Sequence, residues 1–255
     1  MDFLEKILLE KEKEVAKMPL EKVGKVRKTT SFIERLRKNE QNLQIIAEVK
    51  RASPSLGAIN MEVDVLNQAK QYEQANVSAI SVLTDPVFFK GNIEDLRLVA
   101  KNVELPVLNK DFIIDEKQVN RAVNAGATMI LLIVAALSKE RLQVLYEYAT
   151  SIGLEVLVEV HNEEELAVAH SIGGNLIGVN NRNLKTFEVS IETSLHLAKL
   201  QKSGVFYISE SGIKSAVEAK KVAENYRAVL VGEALMKEKD AKTAASRLQV
   251  RRNVD

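Results

Sequence analysis

Eight short apolar runs recur along this chain of 255 residues, each followed by a longer stretch of helical spacing, and that alternation limits the folds open to it. The runs are "QIIAEVK" (44–50), "SAISVLT" (78–84), "PVLNKDF" (106–112), "TMILLIV" (128–134), "LEVLVEV" (154–160), "NLIGVNN" (175–181), "VFYISES" (205–211) and "RAVLVGE" (227–233). Between them, segments such as "SKERLQVLYEYATSIG" and "SAVEAKKVAENYR" carry apolar residues at helical intervals. Gly126, Gly153, the Gly173–Gly174 pair and Gly204 stand just before a strand, where a left-handed helix stop is cheapest. Strands alternating with helices pair in parallel through right-handed crossovers. Eight such units close most simply into a barrel. The predicted fold is therefore α/β, a single (βα)8 TIM-barrel domain over 1–255 whose residues 1–40 form an N-terminal helical extension. That extension reads as two helices, "DFLEKILLEKEKEVAK" and "TSFIERLRK", either capping the barrel or covering its mouth. A doubly wound open sheet is the structural alternative, but the glycine-rich fingerprint expected after its first strand is absent.

Composition narrows the function. The formal net charge is +1, with no basic stripe long enough for a phosphodiester backbone, so no nucleic-acid partner is expected. With no cysteine, disulfides, thiolate nucleophiles and zinc–thiolate sites are excluded. His161, His170 and His196 are too scattered for a metal site. The charged N-terminal segment lacks the apolar core of a signal peptide. The longest apolar run, "MILLIVAAL" (129–137), is too short for a bilayer. A cytoplasmic, soluble protein with no membrane association is expected. A monomer is expected too, since no large exposed apolar patch is evident.

In this fold, chemistry sits at the C-terminal ends of the strands. Those ends carry Glu48 and Lys50, Lys110 with Asp111, Glu159 and His161, Asn180 and Arg182, and Glu210 with Ser211. The second and fourth strands end instead in "SVLT" and "LLIV", an apolar wall. Burying charge costs several kcal/mol unless it is paired, so five such clusters on one rim point beyond stability. Alternate strand residues share a face. Ile46, Glu48 and Lys50 therefore point one way, as do Leu108, Lys110 and Phe112, then Leu157 and Glu159, then Gly178, Asn180 and Arg182. Gly178 would leave room beneath the site. Taken singly, Glu48–Lys50 could be a structural ion pair, Lys110–Asp111 a rim pair and Arg182 a loop charge. A lysine among apolar groups near another lysine is expected to have a lowered pKa, and a buried carboxylate a raised one. That combination suits general acid–base work near neutrality, and Lys110 with Glu159 is the predicted pair. Gly212 in "SESGIKS" and Gly232 in "VLVGEALMK" follow strands seven and eight, where this fold commonly binds phosphate on backbone N–H groups. Glu233 could serve there through its N–H if its carboxylate turns away. His161 is read as structural, His170 and His196 as surface residues, and "EKEKEVAK" and "EKVGKVRK" as solvated faces.

Taken in order, "IIAEVKRASPS", "SVLTDPVFFKG", "VLNKDFII", "LLIVAAL", "LVEVHNEEEL", "IGVNNRNLKTFEV", "ISESGI" and "VGEALM" resemble the indole-3-glycerol-phosphate synthase family through all eight units. The helical extension has a counterpart there. The resemblance implies a lyase of tryptophan biosynthesis, and no metal or organic cofactor. Its substrate would be 1-(2-carboxyphenylamino)-1-deoxyribulose 5-phosphate, which cyclises and loses CO2 and water to give indole-3-glycerol phosphate. It implies Lys110 as principal general acid, Glu159 as the carboxylate assisting a later deprotonation, and Glu48 as partner of the lysine pair. Lys50 would lie near the substrate carboxylate and reach towards the phosphate. Asn180, Arg182, Glu210 and Ser211 would orient the anthranilate and sugar portions, and Ser53, Gly212, Gly232 and Glu233 would hold phosphate. Leu83, Phe89, Phe112, Leu131, Ile133 and Leu184 would give the aromatic ring an apolar surface. Asn109 is less typical but should face outward, and Leu56 follows "SPS" where a lysine is frequent in relatives. Two readings stay open beside this one: a Schiff-base enzyme using Lys110, and a barrel that only binds a phosphorylated ligand. Phosphoribosylanthranilate isomerase is disfavoured because its catalytic cysteine cannot exist in this chain.

Overall fold

Each apolar run forms a parallel strand of a closed barrel in the computed structural model, which describes residues 2–54, 57–238 and 240–252. Leu56 lies outside the described residues. The barrel strands are β1 (Gln44–Val49), β2 (Ala79–Leu83), β3 (Val107–Lys110), β4 (Met129–Ile133), β5 (Glu155–Val160), β6 (Leu176–Asn180), β7 (Phe206–Glu210) and β8 (Ala228–Val231). Pairing of β1 with both β2 and β8 closes the circle and rules out the open doubly wound sheet. Among the described residues no helix is long and apolar enough to cross a membrane.

The two-residue period of a strand divides the core. Ile45, Ala47 and Val49 point outward into the layer beneath the surrounding helices, while Ile46 points inward with Leu108, Met129, Leu157 and Ile208. Gly126, Gly153, Gly173 and Gly204 all have positive φ, as predicted for helix stops.

The extension covers both ends of the barrel. Helix α2 (Phe32–Lys38) closes the N-terminal end, where Phe32, Ile33 and Leu36 pack against the first residues of several strands, among them Leu176, Phe206 and Ala228. Glu155, which opens β5, fastens it. Its carboxylate accepts the Ser31 hydroxyl at 2.8 Å and the Phe32 and Ile33 N–H groups at 2.8 and 2.9 Å. A carboxylate on the free N–H groups of a helix N-terminus satisfies donors that the helix itself cannot. Glu155→Ala should lower the unfolding free energy by about 1–3 kcal/mol, read as a lower urea midpoint at unchanged slope. Turnover should not change, because the plug lies at the end opposite the rim.

Helix α1 (Phe3–Lys17) lies across the mouth. It starts from a capping box in which Asp2 Oδ1 accepts the Glu5 N–H at 2.9 Å and Glu5 Oε2 accepts the Asp2 N–H at 2.7 Å. Its buried residues, Ile7, Lys11 and Val15, are four apart and so share one face. This corrects the expectation that "EKEKEVAK" is a solvated face. Lys11 is 1% exposed, with its ammonium 2.7 Å from Asp111 Oδ1, 3.0 Å from Asp85 Oδ2 and 2.8 Å from Glu14 Oε2. "EKVGKVRK" is corrected in part: Arg27 donates to the Val103 carbonyl at 2.6 Å and the Leu105 carbonyl at 2.5 Å, and Val23 and Val26 pack on the core.

Candidate active site

Strand register brings the inward-facing polar residues to one level. Glu159 on β5 stands opposite Ile133 and Gly178, Asn180 on β6 opposite Glu210 on β7, and Lys110 on β3 opposite Leu83. The lysines then divide the carboxylates between them. Lys110 Nζ donates to Glu159 Oε2 at 2.7 Å and to Glu210 Oε2 at 3.0 Å. Lys50 lies 2.7 Å from Glu48 Oε1, so the two charges that interrupt β1 hold each other. Glycines make the room. A Cβ on Gly178 would lie 1.9 Å from Glu210 Oε1, and one on Gly232 2.5 Å from Glu48 Oε1.

Burial and charge compete at these groups. Burial pulls the Lys110 ammonium down, but Glu159, Glu210 and Glu48 outweigh it and hold Lys110 well above the ordinary lysine value. Burial pushes Glu159 up, yet Lys110 and His161 hold it well below the usual carboxylate range. Both directions reverse the sequence expectation, because the barrel sets Lys110 between two acids rather than beside apolar groups and a second lysine. The carboxyl that rises is Glu210, pushed up to about 7 by burial, with Glu159 and Glu48 adding to it against the pull of Lys110. Its Oε1 is buried without a hydrogen-bond partner, leaving that oxygen free to carry the proton. A folded pKa raised from 4.5 to about 7 gives stability that is full below 4.5 and is lost as pH rises through 7. Measured against Glu210→Gln, the parent should therefore lose melting temperature across that window and level off above it.

The last two strands lead into the glycine loops. Ser211 and Gly212 both have left-handed φ values, +64° and +82°. There the Ser211 hydroxyl donates to Asn180 Oδ1 at 2.9 Å, and the same oxygen accepts the Arg182 N–H at 3.0 Å. Gly232 precedes a four-residue helical turn, Glu233–Met236, and the Glu233 carboxylate turns to Lys237 at 2.6 Å. Between the charged rim and these loops lies the predicted wall of Leu83, Phe89, Phe112, Leu131, Ile133 and Leu184, lining the same pocket. Among the described residues no group of three or more His, Cys, Asp or Glu could hold a metal ion.

A family model described as indole-3-glycerol phosphate synthase matches residues 4–248. The chain belongs to the indole-3-glycerol phosphate synthase family. It is 58% identical over 255 residues to the indole-3-glycerol phosphate synthase of Lactococcus lactis subsp. lactis, covering 99% of this chain and 97% of that one. To the protein of the same name from Listeria monocytogenes serovar 1/2a it is 61% identical over 252 residues, 99% of this chain and 100% of the other. Solved structures share the barrel at low identity. Thiamine phosphate pyrophosphorylase from Pyrococcus furiosus superposes with a TM-score of 0.62 at 16% identity, covering 81% of this chain and 93% of that one. 3-Hexulose-6-phosphate synthase from Salmonella typhimurium gives 0.64 at 14%, covering 81% and 96%.

The residues to which the sequence and the family resemblance give a catalytic or substrate-binding role line this one pocket: Glu48, Lys50, Ser53, Phe89, Lys110, Phe112, Leu131, Glu159, Asn180, Arg182, Leu184, Glu210, Ser211, Gly212, Gly232 and Glu233. Asn109 faces away, as expected, donating to Thr84 Oγ1 at 2.7 Å. The suggested Lys110–Asp111 rim pair does not form. Adjacent strand residues point to opposite faces, and Asp111 turns to Lys11 of α1. The synthase pocket also contains residues that the sequence did not single out: Phe3, Leu4 and Ile7 from α1, with Phe187 and Lys214 from the loops. The Phe3 ring meets Phe88 and Phe187 edge-on at 5.4 and 5.1 Å, joining α1 to two rim loops. The spacing of Phe3, Ile7 and Val15 was the one signal available for the α1 face. His170, read as a surface residue, is half-buried against the Tyr207 hydroxyl at 2.8 Å.

Proposed function

We propose that this chain closes the pyrrole ring of 1-(2-carboxyphenylamino)-1-deoxyribulose 5-phosphate and releases CO2 and water to form indole-3-glycerol phosphate, with the pocket residues in the following roles. The observation that carries the assignment of roles is Lys110 held as an ammonium between Glu159 and Glu210, beside an apolar wall. As the ring carbon bearing the carboxylate attacks the ketone, the carbonyl oxygen becomes an alkoxide and takes a proton from Lys110. An alkoxide is a far stronger base than an amine, so an acid held strongly charged can still deliver that proton. Glu210, with a pKa of about 7 and its Oε2 3.0 Å from Lys110, then returns one to the amine once its carboxyl turns the proton-bearing Oε1 towards it. The carbon–carboxylate bond breaks next, its electrons restoring the aromatic ring as CO2 leaves. In the last step the new hydroxyl takes a proton from one of the two lysines and departs as water, and Glu159, held ionised, accepts the proton lost from the neighbouring carbon.

Lys50, kept in place by Glu48, faces the substrate carboxylate and reaches towards the phosphate. Asn180, fixed by Ser211, and Arg182 orient the sugar and anthranilate portions. Ser53, Gly212, Gly232 and the Glu233 N–H receive the phosphate, which the Glu233 carboxylate does not oppose because Lys237 holds it aside. A Schiff base on Lys110 would need the free amine, which two flanking carboxylates disfavour. The whole chain acts as one unit in this reading, since α1 supplies pocket wall and α2 closes the far end. It operates as a monomer, without metal, organic cofactor or nucleic acid, and in the cytoplasm, where a small substrate with two anionic groups is retained. Sedimentation should give one species of 28.4 kDa. The chain has no tryptophan, so product indole fluorescence can be followed directly. A rise on adding the substrate supports the reaction, while a flat trace with phosphate-dependent binding would reduce the protein to a ligand-binding barrel.

A further inference from the structure

His161 is the first residue after β5 and follows Glu159 by two, so the strand's alternation carries it towards the side that Glu159 takes. Its side chain is 11% exposed and stands between two carboxylates. Nδ1 is 2.9 Å from Glu165 Oε2, and Nε2 is 3.3 Å from Glu159 Oε1, within ion-pair reach but short of an aligned hydrogen bond. Glu165 is itself pinned in the first turn of α3 (Glu163–Ser171). It accepts the His161 N–H at 2.8 Å and the Asn162 amide at 2.9 Å, while Asn162 caps the helix by accepting the Glu165 N–H at 2.8 Å. The two oxygens of Glu159 are thereby divided, Oε2 to Lys110 and Oε1 to the imidazole.

We infer that His161, anchored by Glu165, is a positioning residue that fixes the rotation of the Glu159 carboxylate and keeps it anionic and turned towards Lys110. His161 does not line the pocket, so it acts through Glu159 and not on the substrate. Tying α3 to β5 would need a single Nδ1–H donor to Glu165. A second carboxylate beside Nε2 goes beyond that need, and it is the one that faces Lys110. The charged groups around the ring are Glu159 from β5 and Glu165 from α3, with Lys110 from β3 and Glu210 from β7 beyond Glu159. Burial pulls the imidazole down, but Glu159 and Glu165 together carry it up to about 9. Both ring nitrogens are then donors at neutral pH.

The inference rests on the reading of Glu159 as a base, so Glu159→Gln is the control. Steady-state kinetics and melting temperatures across about pH 3.5–9, a span that takes in the ordinary carboxylate and histidine ranges, would be compared for the parent, His161→Asn, His161→Gln and Glu165→Gln. His161→Asn keeps a donor towards Glu165 but loses the one towards Glu159. It should lose roughly 10- to 100-fold in kcat, as when the orienting partner of a metal ligand is removed, with KM within about twofold. Its acidic limb should move to higher pH, because Glu159 has lost a neighbouring cation. His161→Gln, whose amide reaches the Nε2 position, should recover part of kcat but not the limb. Glu165→Gln should show a smaller change in the same direction. Unchanged kcat and limb in His161→Asn, with a lower melting temperature, would make His161 a plain tie and overturn the inference. If that variant does not fold, Glu165→Gln decides on the same two readouts. Normal turnover in Glu159→Gln would remove the base, and the inference with it. Lost turnover there beside an unaltered His161→Asn would overturn the inference alone.

Discussion

Replacing Lys110 with alanine is expected to lower kcat by roughly 100- to 10,000-fold, the usual worth of a positioned acid. The direction follows from the geometry. Lys110 is the cation that two buried carboxylates share, at 2.7 and 3.0 Å. Its loss would remove the proposed proton donor to the ketone and leaves Glu159 and Glu210 without their common counter-charge. Two such acids cannot both stay ionised without a partner, and Glu210, already at about 7, is the one that takes up a further proton. Glu159 loses its strongest opposite charge and becomes a less certain base, so the ring-closing and dehydrating steps suffer together. KM should change far less, because the proposed roles have the phosphate and carboxylate held from the Lys50 side of the pocket. Lys110→Met, which keeps the chain length and lacks the charge, should match Lys110→Ala in kcat. Turnover within tenfold of the parent in either variant, followed by product fluorescence at saturating substrate, would remove Lys110 from the acid's role.

Why the placement of these groups was legible while their charge states were not comes down to two kinds of information. Inside-or-outside placement is local: the two-residue strand period puts Glu48, Lys50, Lys110 and Glu159 inward and Asn109 outward, and the structure keeps every one of them there. Partnership across the barrel is not local. Lys110 meets Glu159 and Glu210 only because β3, β5 and β7 are bent round one axis, and no stretch of chain carries that information. The predicted pKa directions for Lys110 and Glu159 were inverted for this reason. Helix α1 shows the same limit. Its helical nature was readable, but a lysine amid glutamates looks solvated until Asp85 and Asp111 are brought to it from two loops. The four-residue step from Ile7 to Lys11 to Val15 was the available clue. For α2, the apolar Phe32, Ile33 and Leu36 marked a packed face, but its seat depends on Glu155, more than a hundred residues away in sequence.

Lys11→Met should be the most destabilising of the substitutions argued here, by about 3–5 kcal/mol, because it breaks a buried ion pair by removing one partner. The ammonium lies at the centre of a cluster in which Asp85, Asp111 and Glu14 all converge on it. Arg121 lies 3.6 Å from the far oxygen of Asp111 and 2.8 Å from Glu14, so it cannot replace the lysine at Asp85. Methionine fills the space of the alkyl stem, which isolates the charge from the packing. At roughly 2–4 °C per kcal/mol for a chain of this size, the melting temperature should fall on the order of 10 °C. The effect should also reach the pocket. Asp85 Oδ1 accepts the Phe88 and Phe89 N–H groups at 2.6 and 3.1 Å, and Phe88 meets Phe3 of α1. Releasing Lys11 therefore loosens both the helix over the mouth and the loop that presents Phe89 to the apolar wall, and KM should rise more than kcat falls. Adding Asp85→Asn to Lys11→Met removes one stranded charge and should restore part of the lost stability. A Lys11→Met protein that melts within 2 °C of the parent, about 1 kcal/mol or less at this size, would mean that water or Arg121 satisfies the two aspartates, and the buried lysine would then be no more than a spacer.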